Sequence, residues 1–178
     1  MKSLKNLFVL LAVCCLSFNS HAQSKKDKKI INEADEAVKT LLAINPGIRH
    51  YFDKSAGCVV FPNVGKGGFI VGGASGNGVL YQYGEKKGMA SLKELNVGLQ
   101  AGGQALIEVI FFERKSDVEK FKEGHFEFDA GVSAVALQES KSLDLKYKDG
   151  VAVFTHAKGG LMAEASVGGQ KFHYKPFH

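Results

Sequence analysis

The sequence predicts an α+β fold: an N-terminal amphipathic helix and short helices packed on a glycine-rich, strongly twisted antiparallel sheet, or a partly closed β-barrel, of about seven or eight strands. Two stretches carry that prediction. In residues 57–83 short β-branched and aromatic runs are cut by glycines, a density no helix tolerates because each interior Gly costs about 1 kcal/mol relative to Ala. In residues 30–42 apolar side chains recur instead at helical spacing. Helices come first and strands follow.

Ahead of the helix, Lys2 and Lys5, the apolar run Leu7–Phe18 and the small-x-small triplet Ser20-His21-Ala22 read as a signal peptide over residues 1–22, cleaved before Gln23. The apolar run falls short of the roughly 20 residues that anchor a chain across a bilayer. Leu11-Ala12-Val13-Cys14 offers lipoprotein anchoring as an alternative, with Val13 standing where a small residue is expected. The chain is thus expected to be exported, to the periplasm, as a single domain over residues 23–178. Losing Cys14 and Cys15 with the leader leaves Cys58 alone, so no internal disulfide forms and packing must hold the domain together. Losing Lys2 and Lys5 takes 23 basic against 18 acidic residues to 21 against 18, a net +3. That balance does not argue for nucleic acid.

Lys25, Lys26, Lys28 and Lys29 open the helical stretch, in which Ile30, Ile31, Ala34, Ala37, Val38, Leu41 and Leu42 cover one arc and Glu33, Asp35 and Glu36 lie on the other. Two roles fit the apolar face. It docks on the domain's own sheet, as the acidic opposite face favours, or the four lysines hold anionic head groups and the helix lies along a membrane through Ile30, Ile31, Ala34, Val38, Leu41 and Leu42. Asn45-Pro46 ends the helix and starts a second short one through Phe52.

Val59–Phe61, Phe69–Val71 and Val79–Tyr83 read as three successive strands, with Gly73–Gly78 as a tight hairpin turn. Cys58 and Val60 face one side and Val59 and Phe61 the other, a strand apolar on both faces, with Cys58 as a small buried hydrophobe. Gly84–Gly88 is a polar turn, and Met89–Glu113 makes two bent strands in which Ile107, Val109 and Phe111 alternate with Glu108, Ile110 and Phe112. Ser116–Gly124 is a short helix with Ser116 and Glu119 as its capping pair. Strands return over His125–Leu137, Val151–Phe154, Leu161–Val167 and Gln170–Tyr174, with Glu139–Lys148 as a surface turn.

Reactive chemistry is sparse. Gly65-Lys66-Gly67-Gly68 lacks the Ser or Thr of a phosphate loop, and Gly73-Ala74-Ser75 lacks the closing Gly of a nucleophile elbow. Histidines 50, 125, 156, 173 and 178 show no metal-binding spacing, and Glu108 is expected on a sheet face open to water. No catalytic residue, metal or cofactor is predicted, and the protein is expected not to be an enzyme. What remains is cationic: Lys66 at a glycine turn, Lys158 before Gly159-Gly160, and Lys171, His173 and Lys175 along one face of the last strand. Beside glycine turns, such groups suit a phosphate head group.

Gly57–Gly73, Gly98–Gln104, Phe111-Phe112, Ala157–Met162 and Gly168–Phe172 together resemble the SYLF domain family, the yeast actin-regulator type, over about residues 30–175. The resemblance implies a lipid-binding domain whose N-terminal amphipathic helix corresponds to Ile30–Leu42 and whose turn lysine corresponds to Lys66. Expected partners are accordingly an anionic phospholipid or membrane surface. The alternative is an envelope interaction or scaffold protein that assembles with itself or with a protein partner through exposed sheet edges.

Overall fold

The computed structural model describes residues 24–68, 72–96, 100–124, 126–128, 134–138, 143, 146–159 and 167–177, with backbone alone at 66–68, 72, 95–96 and 100–104. The signal peptide over residues 1–22, the Cys14 lipobox, His125, His178 and nearly all of the expected strand at 161–167 lie outside the described residues, as does part of the turn at 139–148.

The chain is α+β. Helix α1 (Lys25–Ile44) leads through a 3-10 turn (Pro46–Ile48) into α2 (Arg49–Lys54). Strands β1 (Gly57–Gly68), β2 (Gly72–Gln82), β3 (Glu85–Asn96) and β4 (Gln100–Phe112) follow, then α3 (Lys115–Lys122), β5 (Val135–Ala136), β6 (Val151–Ala157) and β7 (Gln170–Pro176). They form one seven-stranded sheet in the order β5-β6-β4-β1-β2-β3-β7. Every pairing is antiparallel except β5 with β6, which makes the sheet mixed where an antiparallel one was expected. Among the described residues the sheet does not close into a barrel: its order runs out at β5 on one side and β7 on the other.

Each face of the sheet carries a core. Val59, Phe61, Leu80, Ile110 and Phe112 pack on one side with Val118 and Phe121 of α3 and with Phe128 and Phe172. Cys58, Val60, Val79, Val109, Phe111 and Phe154 pack on the other with Ile30, Ala34, Ala37 and Leu41 of α1 and with Ile48 and Tyr51. The alternation expected of β1, Cys58 with Val60 against Val59 with Phe61, is what divides it between the two cores.

Helix α1 begins where Ser24 caps it, its hydroxyl accepting the Asp27 N–H at 3.1 Å, and ends at Asn45 before Pro46. Its apolar arc is committed to the sheet: Ile30, Ala34 and Leu41 are buried, and Ile31, Val38 and Leu42 pack partly buried against the same core. Of the two roles expected for this face, docking on the sheet is the one that this packing fits. The physical reason is size as well as apolarity, since Ala34 and Ala37 let the helix backbone approach the strands while Ile30 and Leu41 fill the space on either side.

The glycine-rich centre also departs from expectation. Gly73–Gly78 is not a hairpin turn but the interior of β2, paired with β3 throughout and with β1 over Gly73–Asn77. A Cβ at Gly78 would press on the Val60 carbonyl oxygen and come within 2.7 Å of the Phe61 ring, so close packing demands Gly there. The tight turn lies later, where Tyr83 and Gly84 take positive φ of 55° and 76° between the paired residues Gln82 and Glu85. Lys66 is likewise not at a turn. It sits inside β1, paired with Ala74 on one side and Gln104 on the other. Helix α3 is capped by Arg114 and Asp117, whose carboxylate accepts from the Arg114 backbone N–H at 3.2 Å, rather than by Ser116 and Glu119.

Candidate anion-binding surfaces

The predicted lysines do not converge on one point. Lys25, Lys26, Lys28 and Lys29 are exposed in the first turns of α1, and of these only Lys29 has an ion pair among the described residues, with Glu33 at 3.7 Å. Their positive charges stand at the positive end of the helix dipole, an arrangement that works against helix stability and raises the local potential. Lys158, at the end of β6, donates to the Asn63 side-chain oxygen, and the Asn63 amide donates to Glu33 at 3.0 Å. Together with His156, Thr40 and Glu36 they border a cleft of about 470 Å³ beside α1.

Lys171 and Lys175 project from β7 at the opposite side of the sheet. There the register brings in a residue that the sequence did not single out: Lys93 of β3 is directly opposite Lys171. Lys171 also pairs with Glu127 at 3.1 Å, whereas Lys93 has no ion pair among the described residues. The two lysines and His173 border a surface groove of about 850 Å³ whose floor includes Gly65, Gly73, Ser75 and Ser91. Lys93 escaped notice because its partner is 78 positions away, and strand pairing at that separation leaves no local signature.

The acidic side of α1 serves as an attachment. Asp35 accepts from the Tyr81 hydroxyl at 2.9 Å and from Lys86 at 2.7 Å, and Glu33 accepts from Asn63 as described. Burial, then the bond to Asp35, pushes the Tyr81 phenol well above its ordinary pKa. These contacts reinforce the apolar docking.

Inside the other core lies a polar group at odds with expectation. Glu108 is fully buried, not open to water. The Gln170 amide nitrogen donates to Glu94 at 3.1 Å and to Glu108 at 3.2 Å, so one donor serves two buried carboxylates. Thr155, opposite Glu108 on β6, is also fully buried. The hydrogen bond described for Glu108 comes from Gln170. Among the described residues no three of His, Cys, Asp and Glu gather as metal ligands, and no helix is long and apolar enough to cross a membrane.

Comparison with known proteins adds little to this geometry. No family model matches the chain. It is similar to Beta cell expansion factor A of Aeromonas veronii, with 32% identity over 142 residues, covering 78% of this chain and 53% of that protein. The chain spans about half the length of the curated relative it matches.

Proposed function

We propose that this chain is an exported, non-enzymatic domain of the SYLF type, periplasmic after loss of residues 1–22, that engages anionic lipid head groups at a membrane surface. The observation that carries the reading is the exposed block Lys25, Lys26, Lys28 and Lys29, placed at the positive end of α1 and with a single ion pair, to Glu33, among the described residues. Four like charges at a helix start cost stability unless an anion compensates them. The strong twist read from the glycines belongs to the same proposal, as the feature that turns the β7 lysines outward beside the rest of the sheet.

Because the apolar arc of α1 is occupied by the sheet, attraction in this reading is electrostatic and peripheral. Each lysine near an anionic surface contributes about 1 kcal/mol. Co-sedimentation of the leaderless chain with phosphatidylglycerol vesicles tests it. Binding is expected at low salt, is expected to fall as salt rises, and is expected to drop about a thousandfold when all four lysines become Ala. Equal recovery with phosphatidylcholine and phosphatidylglycerol vesicles would refute it.

A further inference from the structure

We propose that the groove beside β3 and β7 is a seat for a single phosphate head group of an anionic phospholipid, with Lys93 and Lys171 as its ligands. The inference rests on the lipid-binding reading above and adds a site to it. Two independent features of the groove point to a ligand.

The first is charge placement. In an antiparallel pair, residues directly opposite have Cβ atoms about 5 Å apart, and like charges at that spacing repel. Lys93 and Lys171 are such a pair, in a row that continues through Ser75 to Gly65. The neighbouring row ends in Ser91 opposite His173. Glu127 answers the charge of Lys171 alone. A phosphate oxygen between the two ammonium groups removes the repulsion, and the serine hydroxyls supply further donors.

The second is space without a packing reason. A Cβ built at Gly65 meets no described atom within 4 Å, and Gly65 has no positive φ. Gly78, in the same sheet, is forced by contact; Gly65 is not. Its missing side chain leaves the floor of the groove open, in a volume of about 850 Å³ that falls in the range of single small-ligand sites. Lys93, Lys171 and His173 line this volume together with Glu94, whose carboxylate accepts from the Gln170 amide, and so small a set of basic groups fits one head group better than an extended acidic peptide.

Gly65→Leu separates the seat from the fold, since its Cβ meets no described atom within 4 Å and no lysine is altered. With the thermal midpoint unchanged, Gly65→Leu and the double variant Lys93→Ser/Lys171→Ser are each expected to weaken binding to phosphatidic acid vesicles about tenfold. Glycerol 3-phosphate in solution is expected to shift the backbone amide resonances of Ser75, Ser91 and Lys93 weakly in the wild type and not in Gly65→Leu. Vesicle binding equal to wild type in both variants overturns the seat while leaving the lipid-binding reading in place. Glycerol 3-phosphate shifts that survive Gly65→Leu also overturn it. A wild-type chain that binds no anionic vesicle removes both proposals.

Discussion

The side-chain nitrogen of Gln170 lies 3.2 Å from a carboxylate oxygen of Glu108, although four strand-to-strand steps separate β7 from β4 in the sheet. Flat, those steps would span about 19 Å. The sheet therefore bends far enough for strands near its two sides to meet across the buried face, and the contact between the Phe61 and Phe172 rings, with centroids 6.0 Å apart, lies on the same side. The Gln170 amide, shared between Glu94 and Glu108, helps to hold β7 in that position.

Replacing Gln170 with Leu keeps the volume and removes that donor. A buried carboxylate losing a hydrogen bond costs about 1–3 kcal/mol, and two lose one here. Gln170→Leu is expected to lower the urea midpoint with the slope unchanged, and Gln170→Glu, which adds a third acid beside Glu94 and Glu108, is expected to lower it further at neutral pH than at about pH 5. A Gln170→Leu chain as stable as wild type would mean that the polar group contributes nothing to the fold.

Helix α1 gives a prediction that separates its two roles. Leu41 is fully buried between helix and sheet, so Leu41→Ala is expected to cost about 2–5 kcal/mol in chemical unfolding. Asp35→Ala removes the partner of both Tyr81 and Lys86 and is expected to cost about 1 kcal/mol. Were the apolar arc a membrane contact instead, Leu41→Ala would leave stability unchanged and abolish vesicle binding.

The helix, its apolar arc and the two-sided apolarity of β1 were legible in the sequence because each is a local periodicity. Lys171, His173 and Lys175 could be placed on one face for the same reason. Lys93, Glu94 and Gln170 could not be joined, since only the pairing of β3 with β7 brings them together and nothing within either segment encodes it. Glycine misled in a definite way: in Gly73–Gly78 it was read as freedom to turn, whereas at Gly78 it answers a shortage of space beside Val60 and Phe61. Glu108 was misplaced because the alternation of β4 says which residues share its face but not whether that face is covered.

Buried neutral acids set the alkaline limit. Burial pushes the Cys58 thiol up from 9.0 to about 12, and burial is also the main cause that takes Tyr147 to about 12 and raises Tyr81. Each group keeps its proton in the folded chain at a pH where the unfolded chain has lost it. The stability they contribute is thus fully present below about pH 9 and is lost as pH rises towards about 12. The urea midpoint is expected to be level between about pH 7 and 8.5 and to fall above that, less steeply in Cys58→Ala. At about pH 8 the native thiol is expected to resist Ellman's reagent and to react promptly in denaturant. Prompt reaction of the native chain would contradict the burial of Cys58.

The contrast between Gly65 and Gly78 can be measured directly. Both lie in strand interiors, where the entropy lost by Gly on folding favours replacement by Ala if there is room. At Gly65 there is room among the described residues, and Gly65→Ala is expected to leave stability unchanged or raise it by up to about 1 kcal/mol. At Gly78 the added methyl meets the Val60 carbonyl, which is fixed by the ladder between β1 and β2, and the Phe61 ring, which is fully buried. Neither can move aside without breaking strand pairing or repacking the core, so Gly78→Ala is expected to cost about 1–3 kcal/mol. Thermal unfolding of the two variants side by side checks the argument. Equal midpoints would show that the glycines of β1 and β2 are interchangeable, and that close approach at Gly78 does not constrain the sheet.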